Sequence, residues 1–201
     1  MSDPAIKPDD RFTYGQYKNW PEDQRWELID GEAWAMAGAG TRRQELVGRL
    51  YVRFRTFLEG KPCRVLLAPY DVLLPTRDED DDEVPSVVQP DLVVFCDPSK
   101  IREANARGAP DLLVEILSPS TSRKDLNEKF RLYERHDVRE YWVVDPWAKT
   151  VCVYRPAAMG RFDRGELHEA SISATKIESK VLEALAIDVN ALFSGLESQD
   201  S

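Results

Sequence analysis

Long apolar runs are missing from this sequence. Nothing in its 201 residues approaches the roughly 20 consecutive apolar residues that span a bilayer, and no signal-peptide pattern stands at the start, so a cytoplasmic location is expected. Histidine is nearly absent. His136 and His168 are the only two, and neither lies in an apparent site, which leaves no serine–histidine–acid set. Glycine is thin and scattered, which excludes a glycine-rich phosphate loop and a dinucleotide fingerprint. The three cysteines, Cys63, Cys96 and Cys152, are odd in number and widely spaced. They are expected to be small buried thiols, with no disulfide framework and no zinc spacing. Positive charge is also short: 27 basic against 36 acidic residues give a net charge of −9. That balance disfavours broad binding of polyanions. The run Asp78 to Glu83 carries −6 of it, leaving −9 + 6 = −3 elsewhere. Such a run is expected to be a solvated, mobile loop, and it lacks the glycine and spaced ligands of a calcium loop.

What is present is enough chain for one domain over residues 12–195, with a polar, loosely ordered segment at 1–11 and a tail at 196–201. The pattern predicts a short helix at 13–20 and two strands within 25–37 about Asp30-Gly31. Thr41 and Gln44 form a capping-box signature. After them Leu46, Val47, Leu50, Phe54, Phe57 and Leu58 recur at helical spacing, until Gly60 stops the helix. Strands are predicted near 63–68, 70–74, 91–96, 111–117, 140–145 and 150–155, and helices over 122–136 and 188–194. Strands and helices mixed along one chain of this length imply an α/β or α+β fold, with a mixed central sheet flanked by helices.

The strand at 111–117 poses the chemical question. Leu112, Val114 and Ile116 share one face, while Asp111, Leu113, Glu115 and Leu117 share the other. Both faces are apolar, so the strand is expected to be central. A carboxylate buried there costs several kcal/mol unless a metal, a cation or hydrogen bonds compensate. Asp111 lies four residues from Glu115, roughly 13 Å along a strand, too far to share an ion. Asp91 opens a separate strand. If the two strands are neighbours, about 4.8 Å apart, Asp91 and Glu115 can reach one metal. The alternative is a structural ion pair or a glutamate at an open sheet end.

A cation is expected from the helix at 122–136. Leu126, Phe130 and Tyr133 mark its inward face, and Lys129 falls on that face. Three strand steps from Ser118 back to Glu115 cover about 10 Å. Seven helical steps from Ser122 to Lys129 cover about 10.5 Å. Lys129 is therefore expected level with Glu115, with Lys124 near the turn. The competing reading is a surface pair between Asp125 and Lys129. An aspartate, a glutamate and a lysine around a divalent ion form a set suited to phosphodiester cleavage.

The stretches "TYGQY", "RWELIDGE", "VQPDLVVF", "GAPDLLVEILSPSTSRKDLNEKFRLYERHDVREYWVVDP" and "VCVYR" together resemble the Uma family of restriction-endonuclease-like proteins, over about residues 12–195. The resemblance implies the PD-(D/E)XK nuclease fold and a Mg²⁺-dependent endonuclease, with Mn²⁺ as a substitute, hydrolysing DNA. Asp91 and Glu115 would hold the metal, and a homodimer is expected by analogy. The usual nuclease pattern has a lysine two residues after the second acid. Here Leu117 stands there, and the resemblance transfers that function to Lys129. Glu45, on the first long helix, is the candidate for a further acid, and Glu27 is another polar candidate. Relatives tend to have histidine where that helix begins, whereas this chain has Arg42 and Arg43, and an arginine there could contact a phosphate directly. Leu117, the missing histidine and the acidic balance favour the alternative, a catalytically inactive nuclease-fold module for binding or assembly.

Overall fold

Asp30 and Gly31 both take left-handed backbone angles, φ 52° and 81°. A two-residue hairpin turn of type I′ requires such a pair, and it joins β1 (Trp26–Ile29) to β2 (Glu32–Ala35). The computed structural model describes residues 10–118 and 125–196, apart from 22, 37, 39 and 172–174. The expected segments at 1–11 and 196–201 therefore lie almost wholly outside the described residues.

A short helix, α1 (Tyr14–Tyr17), precedes the hairpin, and a long one, α2 (Thr41–Phe57), follows it. The N-cap of α2 is Gly40 in an extended conformation, so Thr41 is the first helical residue and not the cap. A capping glutamine stands instead at α1, where Gln16 Oε1 accepts from the Thr13 amide at 3.0 Å. Then come β3 (Arg64–Leu67), β4 (Asp71–Leu73), β5 (Val87–Val88), β6 (Leu92–Phe95), β7 (Asn105–Arg107) and β8 (Leu112–Ile116). A π turn at Asp125–Lys129 leads into α3 (Phe130–Arg135). The chain continues through β9 (Glu140–Asp145), β10 (Thr150–Tyr154), β11 (Glu166–Glu169), β12 (Lys176–Glu178), β13 (Ala186–Asp188) and α4 (Val189–Phe193).

The expected mixed sheet is six-stranded, in the order β11-β10-β9-β8-β6-β3, with β8 and β9 parallel. A second mixed sheet has the order β2-β1-β5-β4-β7, and β12 and β13 form a separate ribbon. One face of the six-stranded sheet, with Leu92, Val94, Leu112, Val114 and Trp142, packs under Leu46, Leu50 and Phe54 of α2. The other, with Val93, Phe95, Leu113 and Tyr141, packs against Ile29, Val72 and Val88 of the second sheet and Leu132 and Tyr133 of α3. Strand β8 is therefore central and buried throughout, as its run of apolar residues on both faces requires.

Two further sequence expectations are corrected. Cys63 and Cys96 are disulfide-bonded, and Cys152 is the free thiol. Arg64 pairs with Phe95 across β3 and β6, and one step further brings Cys63 opposite Cys96. Cross-strand register, which cysteine count and spacing do not contain, makes the pair. Opening this bond with dithiothreitol should cost about 3–4 kcal/mol, the chain-entropy value for its sequence separation of 33. Urea midpoints with and without reductant measure it, and an unchanged midpoint with both thiols titratable would refute the estimate.

The acidic run is the second correction, since it is tied down and not a free loop. Asp81 to Glu83 form a 3₁₀ turn. Asp81 accepts from Arg107 at 2.6 Å and also from Arg102, and Asp82 accepts from Lys18 at 2.6 Å. These cations come from distant positions, so local charge counting misses them.

Candidate active site

Strands β6 and β8 are antiparallel neighbours, pairing Leu92 with Val114 and Val93 with Leu113. One residue beyond the paired segment, the same register sets Asp91 opposite Glu115. Opposed residues in an antiparallel pair point to the same face. The adjacency that the sequence argument required is thus present. Asp111 lies at the other end of the ladder, where it accepts from the Cys96 amide at 2.8 Å and from Arg139 at 3.0 Å.

Lys129 closes the π turn and is only 1% exposed. Its Nζ donates to Glu115 Oε1 at 2.7 Å and lies 2.8 Å from Glu27 Oε1. The depth estimate for Lys129 therefore agrees with its position, which is not at the surface; the side chain of Asp125 lies outside the described residues. Ser122, Arg123 and Lys124 lie outside the described residues. Tyr133, four residues after Lys129, donates its hydroxyl to the same Glu115 oxygen at 2.7 Å. Burial, and then the nearby Glu115 charge, push the Tyr133 phenol well above its ordinary range, so it stays a neutral donor.

Glu27 reaches the group from β1 in the other sheet, and its Oε1 also accepts from the Gln89 amide at 2.9 Å. Glu27 and Glu115 are fully buried, while Asp91 is 5% exposed. Asp91 Oδ2 accepts from the Ile116 amide at 2.8 Å, and Arg43 Nε donates to Oδ1 at 2.8 Å and Oδ2 at 3.1 Å. Burial pushes the Asp91 carboxyl above the usual aspartate range, while Arg43 and the Ile116 amide pull it back.

The group therefore combines Glu27, Asp91 and Glu115 with Arg43 and Lys129, a formal charge of −3 + 2 = −1. Glu45 does not join it. Its side chain is 46% exposed and pairs with Arg49 at 3.4 Å one helical turn on. The additional acid comes instead from Glu27. Its signal was the same as for Glu115, a lone carboxylate inside an apolar strand, here between Trp26 and Leu28.

Among the described residues no three histidine, cysteine or acidic side chains form a ready-made metal cage. Mg²⁺ does not need one, because it is commonly held by one or two carboxylates and completed by water and substrate phosphate. Asp91 and Glu115 supply two hard oxygen donors on adjacent strands, so their chemistry fits that ion.

Mixed sheets, flanking helices and an acid pair across two central strands define the class of restriction-endonuclease-like nuclease folds. The chain matches the Uma2 family, described as "Putative restriction endonuclease", over residues 14–190, and it belongs to that family. It is 27% identical over 185 residues to an uncharacterized protein of Synechocystis sp., covering 90% of each chain. Its fold is similar to that in a crystal structure of a "putative nuclease belonging to DUF820" from Anabaena variabilis, with a TM-score of 0.72 and 20% identity, covering 91% of this chain and 98% of that one. Among the described residues no helix is long and apolar enough to cross a membrane.

Proposed function

We propose that this protein is a Mg²⁺-dependent endonuclease that hydrolyses DNA phosphodiester bonds, with Mn²⁺ able to substitute. The observation that carries the reading is the juxtaposition of Asp91 and Glu115 across β6 and β8, with the Lys129 ammonium 2.7 Å from Glu115. Asp91 and Glu115 would hold the ion. When bound, it would polarise the phosphate and ease formation of hydroxide from water.

The protein's own groups do the positioning. Glu27 and Glu115 fix the Lys129 ammonium from two sides, so its charge is preorganised. In that position it can stabilise charge developing on the phosphate or orient the attacking water. Water adds to phosphorus and gives up a proton as the bond to the leaving sugar oxygen breaks and that oxygen takes one up. Tyr133 holds Glu115 in place by its hydroxyl.

A second reading, a catalytically inactive module for binding or assembly, is favoured by one observation: all three carboxylates are already engaged by donors of the protein itself. Plasmid DNA separates the two. The nuclease reading expects supercoiled plasmid to be nicked or linearised in Mg²⁺ or Mn²⁺ and left intact in EDTA. The Asp91→Asn variant, checked for native circular dichroism, should fall to background. Intact plasmid under every metal condition would reject the nuclease, and full activity in Asp91→Asn would reject Asp91 as its metal ligand.

A further inference from the structure

Exposure rises outward through the charged group. The Glu27 and Glu115 side chains are at 0%, Lys129 at 2%, Asp91 at 6% and Arg43 at 10%. Arg43 is its most exposed member. Arg43 also engages the more accessible acid. Asp91 Oδ2 is oriented from within the sheet by the Ile116 amide, whereas the hydrogen bond to Oδ1 comes from Arg43 at 2.8 Å. A divalent ion and a guanidinium compete for one carboxylate oxygen, because both need its negative charge and each repels the other. The side chain that loses this competition is long, sits in the first turn of α2 and matches a phosphate's geometry.

We propose that Arg43 is the resident counter-cation of the Asp91 carboxylate: it holds Asp91 in the metal-free protein, yields it to a divalent ion, and then contacts the phosphate of the bound DNA strand. This rests on the nuclease reading and extends it. Metal and substrate binding are thereby linked through one side chain. Removing Arg43 has effects of opposite sign, strengthening metal binding and weakening the grip on DNA. A purely structural Arg43 would weaken both.

The test is calorimetric titration of the full chain with Mn²⁺, without DNA, for wild type, Arg43→Met and Arg43→Lys. Arg43→Met should bind Mn²⁺ about tenfold more tightly than wild type. Arg43→Lys, which keeps the charge and loses the planar fork, should fall between them. In plasmid cleavage, KM for DNA should rise about tenfold in Arg43→Met. If Arg43→Met does not fold, the Arg43→Lys titration decides, since tighter Mn²⁺ binding than wild type is still expected. Wild-type Mn²⁺ affinity in the variants, with cleavage retained, would overturn the role of Arg43 and leave the nuclease standing. No Mn²⁺ binding by any of the three proteins would overturn both.

Discussion

Lys129→Met should destabilise the protein by about 3–5 kcal/mol, the range for removing one partner of a buried ion pair. Lys129 is 1% exposed, and its ammonium lies 2.8 Å and 2.7 Å from two fully buried carboxylates. Methionine fills the stem's volume but leaves Glu27 and Glu115 facing each other in a site of low polarity. The loss should exceed that of an ordinary core substitution, because two uncompensated charges remain where one cation stood. Adding Glu27→Gln to Lys129→Met removes one of those charges and should recover at least about 1 kcal/mol, as coupled neighbours do. Urea melts of the single and double variants measure both effects. A Lys129→Met protein within experimental error of wild type would mean that the ammonium does not hold the acids.

Glu115→Gln should do the reverse, changing stability little and function greatly. The amide oxygen can still accept from Lys129 and Tyr133, and Lys129 keeps Glu27 as its ion-pair partner. What disappears is the negative charge on β8 opposite Asp91. Loss of a partner that merely supports a metal ligand costs roughly 10–100-fold in affinity, and loss of a ligand itself should cost more. Plasmid cleavage should fall by roughly a thousandfold, as when one group that stabilises the transition state is removed. Calorimetry with Mn²⁺ and a thermal melt on the same preparation separate the two interpretations. A variant that melts far below wild type yet binds Mn²⁺ with unchanged affinity would identify Glu115 as a structural ion-pair partner and remove it from the metal site.

The sequence reveals some of this centre and hides the rest for specific reasons. Glu115 stands out because a strand apolar on both faces has no other use for a charge. Asp91 follows from strand spacing, which rules out Asp111. Lys129 follows from matching the strand rise to the helix rise, although the segment ending at Lys129 is a π turn and not a regular α-helix. Glu27 depends on a contact between two sheets. Leu28 pairs with Val87, and the backbone of Gln89 two residues later binds the Glu27 carboxylate. Such long-range pairing leaves no periodic trace. The engagement of Arg43 by Asp91 is equally non-local, as is the Cys63–Cys96 bond. The expectation for Glu45 fails because the helix turns that position to solvent. Thr41 fails as a cap because Gly40 already takes the extended conformation that precedes the helix.

The Cys63–Cys96 bond also bears on how the sheet comes apart. Strand β3 is one of the two edge strands of the six, paired on one side only, with β6. An unsecured outer strand frays from both ends. Here one end is covalently stapled beside Arg64 and Phe95, so unzipping starts from the other, where the Ala68 amide bonds the Asp91 carbonyl at 3.3 Å. The rung farthest from the staple is therefore the one that carries Asp91, and backbone opening at this edge is expected to begin beside that acid.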